Sequence, residues 1–123
     1  MVTRSEWYAR VDATWPAEVP PLTGPEAIKA ARKLYRYVTG SRLELPIRVT
    51  SGNRYTWARR GYLSVNPTAK RHGGGWQAFV HDLSHWLHHK TGLAPHDKSH
   101  ARLERRLIKV VIARGWLQGK LKS

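Results

Sequence analysis

The chain has 123 residues, enough for one small domain, and 41% of them are hydrophobic, with six Trp and five Tyr. That composition supports a packed core and excludes a disordered chain, while the absence of cysteine excludes disulfides and thiolate zinc folds. The formal charge of +14 is spread along the chain, with eleven cations against five acids in residues 1–60 and eleven against three in 61–123. A body this basic is expected to attract a polyanion, nucleic acid before acidic membrane.

Residues 1–22 read as an N-terminal arm. Trp7, Tyr8, Val11 and Trp15 form the apolar side of a short helix after Ser5, which Pro16, Pro20 and Pro21 end. Thr23-Gly24-Pro25-Glu26 is a capping box with proline in the first turn. Ala27, Ile28, Ala31, Leu34, Tyr35 and Val38 follow at helical spacing, and Gly40 closes that helix. Leu45, Ile47 and Val49 then alternate with polar residues or proline, as do Tyr55 with Trp57 and Leu63 with Val65. Separated by Ser51-Gly52-Asn53 and Arg59-Arg60-Gly61, they predict a three-stranded antiparallel meander. His72 sits in a glycine-rich loop. A helix is predicted from about Trp76 to Thr91-Gly92, a connection over Leu93-Ala94-Pro95-His96, and a last helix capped by Asp97 and ending near Arg114-Gly115. The fold class is α+β, with one domain over 23–115 and a basic tail, 116–123, expected to fray.

The histidines carry the chemistry. His81-Asp82-Leu83-Ser84-His85 places two imidazoles one helical turn apart. On a helical wheel Phe79, Val80, Leu83, Trp86 and Leu87 gather on one side, and His81, His85 and His88 on the other. His100 lies three residues before Leu103, on the inward stripe of the last helix with Leu107, Val110 and Val111. Arg102, Arg105, Arg106 and Lys109 take the opposite face and are the candidate nucleic-acid contacts. Three imidazoles from two helices match a catalytic metal site with one open position. His88, His89 and His96 are expected to be exposed or to support the ligands from behind, and His72 to be a plain loop residue.

The order of helix, strands, His-acid-x-x-His helix, loop and final histidine-bearing helix resembles the SprT-like zincin metallopeptidases, over roughly residues 24–112. Their motif is His-Glu-x-x-His with a later histidine before an apolar helix. His81-Asp82-Leu83-Ser84-His85 and Pro95-His96-Asp97-Lys98-Ser99-His100 are similar in type and spacing, and Gly61 to Pro67 is similar to the strand before the metal helix. The resemblance implies a zincin-like fold, Zn2+ held by His81, His85 and His100, and Asp82 as the catalytic general base. It also implies a protein or peptide substrate at or near nucleic acid, DNA in particular. Two departures stand out. Asp82 is shorter than glutamate by one carbon–carbon bond, about 1.5 Å, where a 1 Å misplacement can cost about a hundredfold. The cysteine module of some relatives is absent.

Two other readings stay open. One is a basic nucleic-acid-binding module whose metal site is vestigial or structural, with Tyr55 and Trp57 beside Arg54, Arg59 and Arg60 as a stacking surface. The other is a metal-dependent phosphodiester hydrolase. With no apolar run long enough to span a membrane and no signal-like segment, the chain is expected to be cytoplasmic and to have no membrane partner.

Overall fold

The computed structural model describes residues 3–59, 61–89 and 96–122. Helix α1 runs Arg4–Thr14 and α2 Gly24–Thr39; strands β1, β2 and β3 are Ile47–Val49, Trp57–Arg59 and Tyr62–Val65; α3 is Gly75–His89 and α4 Lys98–Ala113. The helix end at Thr91-Gly92, the connection Leu93-Ala94-Pro95 and Arg60 lie outside the described residues. No helix among the described residues is long and apolar enough to cross a membrane.

Local chemistry sets the helix starts. Thr3 caps α1 by accepting from the Glu6 amide, and Asp97 caps α4 by accepting from the His100 amide. Thr23 and Glu26 form the reciprocal capping box of α2, whose last turn ends on Gly40 at φ 74°. α2 turns Ala27, Ala30, Ala31 and Leu34 inward. Small side chains there let the sheet and α3 approach closely.

The α+β class is observed, but the sheet is mixed, not the antiparallel meander expected from the strand pattern. Its order is β1-β3-β2, with β1 parallel to β3 and β2 antiparallel to it. Asn66, just past β3, supplies the reason. Its amide donates to the carbonyls of Gly52 and Arg54, and its backbone N–H donates to Thr56 Oγ1. The segment after β1 is thereby wrapped around the end of β3 and carried to its far side. Alternation shows which faces of a strand are buried, but not on which side of its neighbour it lands.

Leu34, Leu63, Val65, Phe79, Leu83 and Leu107 belong to one continuous core, which α1 joins through Val11 and Trp15. The expectation of a fraying tail needs correction. Trp116 and Leu121 are buried in the same core, and 3-10 turns at Trp116–Gln118 and Lys120–Lys122 bring them there. Gly115 and Gly119, both left-handed at φ 71° and 91°, permit the reversal. Leu121→Ala is therefore expected to cost about 2–5 kcal/mol in urea unfolding, as for any buried leucine; a frayed tail would lose almost nothing.

Candidate metal centre

α3 is amphipathic twice over. Phe79, Val80 and Leu83 enter the core, while His81 and His85 enter a second, polar interface with α1 and α4. α4 sends His100 and Glu104 into the same interface, one turn apart, and α1 contributes Tyr8. His81, His85 and His100 are all buried, and one nitrogen from each lies within 4.8 Å of the others, close enough to bind a metal ion.

The hydrogen bonds assign the free lone pairs. His81 Nδ1 is 2.8 Å from Glu104 Oε1, and an ionised carboxylate can only accept. The proton therefore sits on Nδ1, and His81 Nε2 is left as a ligand atom facing the cleft. That Nε2 lies 2.9 Å from Nε2 of His96. The ring centroids of His81, His85 and His96 form a near-equilateral triangle with sides of 4.9, 4.9 and 4.8 Å.

His100 is differently placed. Ser84 Oγ spends its proton on the His81 carbonyl and accepts from His100 Nε2 at 2.9 Å; the same carbonyl lies 3.3 Å from that nitrogen. The remaining lone pair, on Nδ1, faces the Tyr8 hydroxyl at 2.5 Å. The ring also stacks on His85 at 3.6 Å and 13°. In-plane lone pairs on parallel rings do not converge on one point.

Asp82 is buried beside His81 and His85 on α3, toward Thr56 and Arg71. Its Oδ2 accepts from the Thr56 amide at 3.3 Å and forms an ion pair with Arg71. Arg71 also donates to the carbonyls of Asn53 and Arg54, and its guanidinium covers the Tyr55 ring at 4.1 Å. Tyr55, expected as a stacking residue, thus already carries a cation. Burial raises the Asp82 pKa, and the hydrogen bond and charge of Arg71 oppose it.

Burial likewise raises Glu104, opposed by His81, and raises the Tyr8 phenol, helped by Glu104. Burial, then the charge of His81, lowers both His72 and His96. His100 is pushed down to about 3 by burial, followed by the charges of His85 and His81.

Two hollows open on the cluster. One, of about 160 Å³, is lined by Tyr55, Thr56, His72, Asp82 and His96 together with His81 and His85. The other, of about 270 Å³, lies between α1 and the cluster and includes Tyr8, Asp12, Trp15 and Glu104. His81, His96 and His72 line both, and His100 lines neither. His72, expected to be inert, holds a left-handed backbone at φ 53° and sets its ring 4.2 Å from that of His81.

Sequence reasoning brought His81, His85 and His100 together and missed Glu104, Tyr8, Ser84, Arg71 and the position of His96. Glu104 had a legible signal: it follows His100 by four residues on the same helical face, an acid on the buried side of a basic helix. Tyr8 and Arg71 reach the site from distant parts of the chain and had none.

Comparison of the chain with known protein families, with curated proteins and with solved structures finds no match.

The His100 shift fixes a pH dependence for the metal-free protein. Between about pH 6.5 and 3 the unfolded state binds a proton at this site and the folded state does not. The stability that neutral His100 contributes is whole above that window and drains as pH falls through it. The advantage of wild type over His100→Asn, measured by urea unfolding in chelator, should shrink by roughly 2 kcal/mol from pH 6.5 to 5. A constant difference would show that His100 is not held neutral.

Proposed function

We propose that the chain is a zinc-dependent peptidase of the SprT-like, zincin type, with the metal held by His81, His85 and one histidine of the segment before or at the start of α4. The observation that carries it is that His81 and His85, two of three buried histidines close enough to share an ion, line a cleft that also contains Asp82 and His96. The donor set suits zinc, which takes neutral imidazole at about 2.0–2.1 Å and tolerates an open fourth position. His100 is near enough to share an ion, but both its nitrogens are engaged. His96 is the better third ligand in the loaded site. Two nitrogens on one tetrahedral zinc stand roughly 3.4 Å apart, and His81 Nε2 and His96 Nε2 are already at 2.9 Å. His100 then positions His85 by stacking and is held in turn by Tyr8 and Ser84.

A metal in this place supplies Lewis acidity toward a carbonyl and makes water a stronger acid. The chain's own groups do the rest. Glu104 fixes the His81 tautomer and ring plane. Asp82 is the base within the cleft, with Arg71 and the Thr56 amide fixing its direction, and it would pass the proton to the leaving amine. β2 is an edge strand, and Tyr55 and Thr56, just before it, line the cleft. An extended peptide added along β2 would run its main chain past Asp82.

The Arg71–Asp82 pair favours a second reading, a nucleic-acid-binding module in which the metal is structural. A carboxylate already neutralised by a guanidinium is a weaker proton acceptor, and the aspartate stem is short. Cleavage of an unfolded protein substrate separates the two. On the first reading, purified protein carries about one zinc, which a single three-histidine site predicts, and cuts the substrate. Asp82→Asn keeps the zinc and loses the cutting by about a hundredfold or more. His85→Ala and His96→Ala lose zinc, while His100→Asn keeps it. Zinc retained with no cutting by wild type establishes the structural reading; full zinc in both His85→Ala and His96→Ala removes the site.

A further inference from the structure

On the face of α1 away from the histidines, α1 and α4 enclose a groove of about 360 Å³. Arg10 lines it from α1, and Lys98, Arg102, Arg105, Arg106 and Lys109 line it from α4, with Trp7 and Ala101 as its apolar part. No acid lines it. Among the described residues, none of these six cations has a carboxylate within ion-pair distance. Like charges on adjacent turns repel unless a counter-charge lies between them.

The spacing has a direction. Lys98, Arg102, Arg105, Arg106 and Lys109 recur on successive turns, so the cations form a stripe about 16 Å long at 1.5 Å per residue. A linear polyanion matches a stripe. The half-buried indole of Trp7 asks for something more, a flat apolar partner able to enter a recess. A membrane surface is charged but offers no ring, and a duplex keeps its bases stacked on one another. A single strand offers both phosphates in a line and unstacked bases.

We propose that this groove binds single-stranded nucleic acid, with phosphates on the α4 stripe and a base against Trp7. The proposal stands apart from the metal reading, because no residue lines both the groove and the histidine hollows.

The test is fluorescence anisotropy of a labelled oligothymidylate with the full chain as purified, at rising salt. The same titration is run with a duplex of equal length and with phosphatidylserine-rich vesicles. The wild type should bind the single strand more tightly than either. Arg102→Glu with Arg106→Glu, both exposed positions, should weaken binding by about tenfold or more and flatten its salt dependence. Trp7→Leu should weaken it by about tenfold without changing the salt dependence. Circular dichroism and zinc content should stay as in wild type for the charge-reversed protein, which keeps the proposal open to refutation even if Trp7→Leu folds poorly. Single-strand binding indifferent to charge reversal overturns the proposal. So does tighter binding of the duplex, or of the vesicles, with the same loss on charge reversal.

Discussion

The bond between Glu104 and His81 is the constraint around which the rest is arranged. An acid and an imidazole are both nearly sealed from water, inside a chain that carries a charge of +14. Neither could be buried alone without a penalty of several kcal/mol. Together they also need α3 and α4 at one fixed rotation, since the bond spans the two helices. Ser84 and His100, meeting one turn along the same interface, impose the same rotation a second time. Hydrophobic packing could tolerate a slip of either helix; this pair of polar contacts cannot.

A second polar node adjoins the first on α3. Asp82 ties the helix to Arg71, and Arg71 ties it onward to the carbonyls of Asn53 and Arg54. The loop between β1 and β2 is thus held from below by Asn66 and from the side by Arg71. The cleft takes its shape from this double hold. One wall is helix, the other is a loop with its carbonyls already spoken for. The same arrangement explains how a short acidic side chain can be positioned at all: the guanidinium comes to the aspartate.

How much of this could be read from the residues alone depends on the range of the interaction. Caps and helices are local, and Thr23-Glu26, Gly40 and Asp97 announced them correctly. The inward direction of His100 followed from its distance to Leu103. Strand order did not follow, because it rests on Asn66 reaching back across a dozen residues. The burial of Leu121 was hidden for a related reason: a basic, glycine-containing tail looks polar on average, while two apolar side chains in it are enough to anchor it. His96 is expected to be exposed or to support the ligands from behind, and it is exposed. What spacing does not show is its closeness to His81, because spacing reports only on the helix that carries a residue, not on the segment leading into it.

α1 has one more consequence. Trp7 and Tyr8 are neighbours in the chain, yet one belongs to the outer groove and the other touches His100. Because α1 packs chiefly on α4, the helix can be thought of as a spindle between two rooms. One setting of α1 about its axis therefore fixes the indole and the phenol together, and Val11, buried in the core, holds that setting.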